Sequence, residues 1–465
     1  MPDRSWTQAT VHARCQTLSH VAGRLADMSD SLIASCSSNQ RIDPVETITA
    51  ELFPLCAALK WIGKNGPKVL RSKRLGAIGR PAWLWGVHSQ VHRQPMGQVL
   101  ILAAWNYPLL LPGVQAAQAL AAGNRVLLKP AVGCEAATLL LVEAFTDAGV
   151  PREFISVLDS SNESAISAID QGVDLIVLTG GVTTGQKVMA QAARTLTPVI
   201  MELSGCDGVI VTADADLDRA ADSIVFGMQF NSGATCIAPR RLIAVDATMD
   251  ALIPRLRERL QDAGEVCVHP SAAETVCDTI AKSVASGCVD LLEHFDETAL
   301  RSKGRIRPVI LDGANGHTAT ASSDLFAPVI SLIRVQDMNE AIRVINDCRF
   351  RLAASVFGPL DRASEVADQL QVGTVVINDL IVPTADPRLP FGGRGASGFG
   401  VTRGAEGLLA MTTPKVVARR YGKLMPHLKP RQSGDQATLT AALTLMHGSG
   451  WKKRLSALRQ MAKRG

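Results

Sequence analysis

The chain is expected to be an α/β protein with two successive domains, each built on a mainly parallel sheet, and three observations lead there. Its 465 residues, at 49.4 kDa, exceed what one hydrophobic core serves, which points to two or three domains. Between Gln98 and Gly208 short apolar runs alternate with helical patterns, the rhythm of strand–helix–strand units. From Arg241 to about Asn378 a second set of the same kind follows.

In the first set the strands are read at "QVLILAA", "RVLLKP", "FISVLD", "LIVLTG" and "PVIME". Helices are expected over Ala116 to Gly123 and Glu135 to Gly149, each closed by a glycine suited to the left-handed position after a helix. A third, Asp216 to Phe230, places Leu217, Ala220, Ile224 and Met228 on one face. In the second set the strands are "RLIAV", "RPVIL", "VISLI" and "GTVVIN". The glycine-rich "PFGGRGASGFG", Pro390 to Gly400, reads as a loop passing close to other backbone or to a ligand. Ahead of the first strand, "RPAWLWGVHSQVHRQP" alternates roughly with period two and suggests an extended arm.

Composition excludes several classes. With 47% hydrophobic and 20% charged residues the chain reads as globular rather than disordered. Residues 97–123 are long and uncharged, yet Pro108 and Pro112 interrupt them, so a buried strand and helix fit better than a membrane span. Ten cysteines without a CxxC pair or zinc spacing imply a reducing cytosol, and the first thirty residues show no leader. Charge is uneven: from Lys415 onward twelve basic residues face the single acid Asp435, leaving a net of −6 for the rest. No recognition motif accompanies the basic tail, so no nucleic-acid partner is expected.

Three separated places supply the groups that covalent carbonyl chemistry requires. Cys236, in "MQFNSGATCIAPRR", offers a thiol just past a helix; Asn106, in "AAWNYP", offers an amide after a strand; Glu202, in "PVIMELSG", offers a carboxylate at a strand end. A cysteine nucleophile needs thiolate character, a donor for the oxyanion it creates and a base for hydrolysis. Singly, each of these residues is as easily a core thiol, a turn residue or a surface charge.

Together, "WNYP", "RTLTPVIMELSG" and "FNSGATCIAP" resemble the aldehyde dehydrogenase superfamily over roughly residues 40–420, most closely its short-subunit branch that handles fatty and aromatic aldehydes. The resemblance implies a Rossmann-like cofactor domain (1–205), a second α/β catalytic domain (206–378), a return segment and arm (379–415) and a basic tail (416–465). The small β oligomerisation arm would combine residues near 77–95 with the segment after Pro390, exchanged in a homodimer. It also implies roles. Cys236 would attack the aldehyde, Asn106 and the Cys236 amide would hold the oxygen, and Glu202 would activate water. NAD or NADP would be held by Lys129, by Gly180 and Gly185 of "TGGVTTG" ahead of a helix, and by Asp324 and Phe326 of "DLFAPV". Phe391 would lie near the active-site mouth.

The pattern is not intact. The family's ribose-chelating glutamate is Val132, and Glu135 does not stand at that position. Its nicotinamide-ribose glutamate is shortened to Asp324 and followed by Ala327; Ala234 stands two residues before Cys236; and "LSGC" replaces "LGGK", leaving Cys206 as a packing residue at a lysine position. Losing that glutamate's carboxylate at position 132 implies weaker cofactor binding or a tilt toward NADP. The expected activity is oxidation of a medium- or long-chain or aromatic aldehyde to its acid. The alternatives are an acyl-thioester reductase and an impaired, membrane-associated homologue. "WKKRLSALRQMAKR" in the tail sets Trp451, Leu455, Leu458 and Met461 against a basic remainder. A cytoplasmic protein is expected, and two readings of the tail stay open: a helix solvated or packed against the body, or, as in fatty-aldehyde members of the family that use their C-termini this way, peripheral attachment to the inner membrane face.

Overall fold

The computed structural model describes residues 5–423 and 425–462; Asp3, Arg4, Lys463 and Arg464 of the charge pattern lie outside them. The chain divides into two compact units, Met1–Ser72 with His92–Lys415 and Lys73–Val91 with Val416–Gly465.

The first unit holds both expected sheets. One has six strands, in the order Gly398–Phe399, Val199–Leu203, Leu175–Gly180, Gln98–Leu102, Arg125–Lys129 and Ile155–Val157. All are parallel except Gly398–Phe399. Helices cover both faces, which is why the strands read as unbroken apolar runs. Val99 and Ile101 face one core cluster while Leu100 and Leu102 face another. The first cluster extends into an N-terminal helical layer, where Val11–Asp27 and Phe53–Val69 bury Cys15, Leu18, Leu25, Leu55 and Leu59.

The other sheet has seven strands, in the order Val289–Asp290, Val309–Ala314, Val329–Val335, Pro239–Val245, Asp207–Val211, Ala353–Phe357 and Thr374–Ile377. Only the Val289–Asp290 edge is antiparallel. It too is buried on both faces, Ile210 and Ile243 on one side and Val209 and Leu242 on the other. The stretch 97–123 is the strand Gln98–Leu102 and the wholly buried helix Leu110–Ala122. Among the described residues no helix is long and apolar enough to cross a membrane.

The glycine-rich segment does not join the arm. Gly398–Phe399 pairs antiparallel with Met201 and Glu202 of the first sheet. The close approach is what the glycine permits: a Cβ on Gly398 would lie 2.0 Å from the Met201 carbonyl oxygen, and its φ of +96° is one that side chains avoid. The arm's third strand comes later. A three-stranded sheet is ordered Lys73–Leu75, Val87–Pro95, Thr412–Arg420. The second unit ends in two helices, Asp435–His447 and Trp451–Ala462.

Candidate active site

The crossovers of a parallel sheet deliver loops to the carboxyl ends of its strands, and ligands bind there. Asn106 follows Gln98–Leu102, Lys129 ends Arg125–Lys129, Gly180 ends Leu175–Gly180, and Glu202 lies one residue from the end of Val199–Leu203. All four line one cleft of about 1150 Å³, together with Cys236, Asp324 and Phe326. Seven of the eight residues expected at the site are thus brought together.

Gly185 is the exception. It sits inside the helix Val182–Ala192, buried, and does not line the cleft. A Cβ there would meet Leu203 Cδ1 at 2.9 Å and Met201 Sδ at 3.3 Å. The glycine therefore lets the helix lie against the Glu202 strand. Gly181 and Thr184 line the cleft in its place.

Cys236 sits beyond a turn in which Asn231, Ser232 and Gly233 all have positive φ, +52°, +55° and +73°. Gly233 is required, because a Cβ would lie 2.5 Å from the Ala327 carbonyl carbon. Consecutive residues of the other loop fasten this turn. Asn106 Nδ2 donates to the Ala234 carbonyl at 2.9 Å, and the Tyr107 hydroxyl is 2.6 Å from that of Thr235. Arg240, buried, donates to the carbonyls of Gly233 and Ala327, both at 2.6 Å. An amide nitrogen carries two protons, so orienting one on Ala234 leaves Asn106 a second to donate.

Electrostatics tie the groups together. The Cys236 thiol is pushed well up, first by burial and then by the charges of Glu202 and Asp207. Glu202 is raised by burial, opposed by Arg403 and by a hydrogen bond from the Thr402 hydroxyl at 3.1 Å. Its other oxygen makes no hydrogen bond of normal geometry among the described residues, which leaves an acceptor for water. Burial likewise raises Asp324 to about 6 and lowers Lys129. Cys206 is fully buried, its sulfur 3.3 Å from the Ala321 carbonyl, a packing role as expected.

The residues present fit a dinucleotide with one gap. A Cβ at Gly181 would meet nothing within 4 Å, so the first N–H groups of Val182–Ala192 stand open to an anion. Lys129 and Asp324 add a donor and an acceptor to the same cleft. Against them, Val132 presents a 74% exposed alkyl group, and Glu135 is not on the cleft. Sequence reasoning overlooked an aromatic wall. Trp105 stacks on His269 at 4.2 Å and 17°, and its ring centroid lies 5.8 Å from that of Phe326. Trp105, adjoining Asn106, was a signal available in "WNYP".

The aldehyde dehydrogenase family model matches residues 2–417. The chain belongs to the aldehyde dehydrogenase family. A 4,4'-diapolycopene aldehyde oxidase from Methylomonas is 31% identical over 419 residues, 88% of this chain and 78% of that protein. A succinate-semialdehyde dehydrogenase [NADP(+)] from Deinococcus radiodurans is 30% identical over 431 residues, 89% and 87% of the two chains. A Mycobacterium tuberculosis aldehyde dehydrogenase complexed with NAD+ superposes with a TM-score of 0.82 at 26% identity, covering 90% of this chain and 88% of that one. This aldehyde dehydrogenase is an NAD(P)-dependent oxidoreductase, and its two sheets are the family's α/β architecture.

Proposed function

We propose that the protein oxidises a medium- or long-chain or aromatic aldehyde to its carboxylic acid through covalent attachment to Cys236. The observation that carries this is the meeting of Asn106, Glu202 and Cys236 on one cleft with the cofactor-side residues. Cys236 Sγ bonds to the carbonyl carbon as its S–H bond breaks, and the proton passes to solvent, which leaves Glu202 unprotonated for the later step. Asn106 Nδ2 donates to the oxygen of the thiohemiacetal. A nicotinamide bound beside Cys236 would supply the hydride acceptor for oxidation of this adduct to the thioester. Glu202 then removes a proton from water, the water oxygen bonds to the acyl carbon, and the C–S bond breaks to release acid and thiol.

Ile237, Leu352, Ala353 and Phe391 pack with Cys236 into an apolar cluster, which supports an apolar substrate; the Methylomonas relative is named for a 4,4'-diapolycopene aldehyde. A buried Glu202 favours hydrolysis over the thioester-reductase alternative. Val132 favours NADP, since a 2′-phosphate meets no carboxylate there. An aldehyde panel run separately with NAD and NADP, followed by absorbance of the reduced nicotinamide, tests activity and preference together. Glu202→Gln should keep a first burst of reduced cofactor and lose turnover; a missing burst would assign Glu202 to an earlier step. Exchange of the arm in a homodimer and attachment of the basic tail to an anionic membrane face, with a cytoplasmic location, complete the proposal.

A further inference from the structure

Arg41 belongs to none of the motifs, yet it is the buried hub between the two loops that meet at the site. Only 5% exposed, its guanidinium donates through Nε and Nη2 to Asn231 Oδ1 at 3.2 and 3.0 Å, through Nη2 to the Asn106 carbonyl, and through Nη1 to Glu51. Glu51, fully buried, spends its other oxygen on the N–H groups of Leu109 and Leu110, at 2.6 and 2.9 Å, where the helix Leu110–Ala122 begins. Asn231 passes the connection on, its Nδ2 donating to the Asn106 carbonyl at 3.1 Å and the Ala234 carbonyl at 3.3 Å.

We propose that Arg41 is a positioning residue for the bond-forming step, fastening the Asn106 loop to the left-handed turn that aims Cys236. The inference rests on the reading that Cys236 is the nucleophile and Asn106 the oxyanion donor. The turn needs such a fastening, because the αL backbone of Asn231 and Ser232 persists only where surroundings hold it. A guanidinium is suited to this, because its planar fork reaches three acceptors in fixed directions, which an ammonium does not. The network also sets the plane of the Asn106 amide, since both Asn106 Nδ2 and Asn231 Nδ2 converge on the Ala234 carbonyl. Misplacing reacting groups by about 1 Å costs on the order of 10²-fold in rate.

The test compares full-length Arg41→Lys, Asn231→Ser and the double variant with the parent enzyme. Arg41→Lys keeps a positive charge beside Glu51 but cannot hold Asn231 and Asn106 together. Its burst of reduced nicotinamide should slow about 10- to 100-fold while cofactor affinity changes less than about twofold. Without cofactor, hydrogen exchange should quicken in peptides spanning 104–110 and 231–237 and stay unchanged elsewhere. Asn231→Ser should do the same, and the double variant should be no slower than the worse single one. An unchanged burst and unchanged exchange, multiplying losses in the double variant, or slowing matched by a general fall in Tm and cofactor affinity would each overturn the proposal. Should Arg41→Lys not fold, Asn231→Ser alone decides. A Cys236→Ser control separates the two readings: a retained burst there overturns the nucleophile assignment, whereas its loss beside parent-like Arg41→Lys overturns only the positioning role.

Discussion

Burial acts on Cys236, Glu202 and Asp324 in the direction that disfavours charge, and the consequences differ with the chemistry each group performs. Cys236 is held as a neutral thiol, so its attack must be coupled to loss of a proton. Glu202, raised in the same way, becomes a stronger base than a surface glutamate, which suits it to water activation near neutral pH. Asp324, raised to about 6 by burial, is a carboxylate above that pH and a neutral acid below it. As an acceptor for a ribose hydroxyl it should lose its charge as pH falls through about 6. The cofactor KM should therefore rise on the acid side, by about 10- to 100-fold for one charged hydrogen bond. Asp324→Asn should flatten that limb in a KM-against-pH series; a limb that persists in the variant would assign it to another group. At this scale Asn106, Glu202 and Cys236 were legible because each stands inside a recognisable motif. Arg41 was not, since an arginine in "NQRID" looks like any surface charge until its partners from residues 51, 106 and 231 surround it.

The strands and principal helices were legible for a simple reason: a parallel sheet covered on both faces demands continuous apolar runs, and "VLIL", "IVL" and "VIM" supply them. The fate of "PFGGRGASGFG" was less legible. Its glycines announced a close backbone approach, but which backbone they approach is a long-range fact, and the answer is Met201 and Glu202. Gly398→Ala should lower the unfolding free energy by about 2–4 kcal/mol in a denaturant titration, since both φ and contact oppose a Cβ. Gly181→Ala, where a Cβ meets nothing within 4 Å, should lie within about 0.5 kcal/mol of the parent. Equal stabilities for the two would contradict the strand pairing. The N-terminal helices are the clearest omission. Cys15, Leu18 and Leu25 follow helical spacing and all are buried, so the signal was present in the pattern of Val11–Asp27.

For the molecule as a whole, charge asymmetry is the feature that composition carries into structure. The basic tail forms two helices, and Trp451, Leu455 and Leu458 remain exposed on the last, among Lys452, Lys453, Arg454 and Arg459. An apolar stripe within a basic helix binds anionic lipid by burial and by charge together, the second part screened by salt. The full-length enzyme should sediment with anionic vesicles at low salt and be released at high salt, and replacing those four basic residues by glutamate should abolish binding. Failure of the parent enzyme to sediment would overturn the proposed membrane attachment.

Architecture and reaction class were already written along the chain. Periodicity specifies which residues must be buried, and the chemistry of a thiol, an amide and a carboxylate in recognisable settings specifies what they can do. Which loops meet was decided only in three dimensions. Folding placed Gly185 in helix packing off the cleft, sent the glycine-rich strand to the Glu202 edge, and closed Arg41 over Asn106 and Asn231. The reason is physical: local patterns encode the burial and backbone geometry of neighbouring residues, whereas a contact between residues 41, 106 and 231 exists only once folding has brought three distant segments within hydrogen-bond reach.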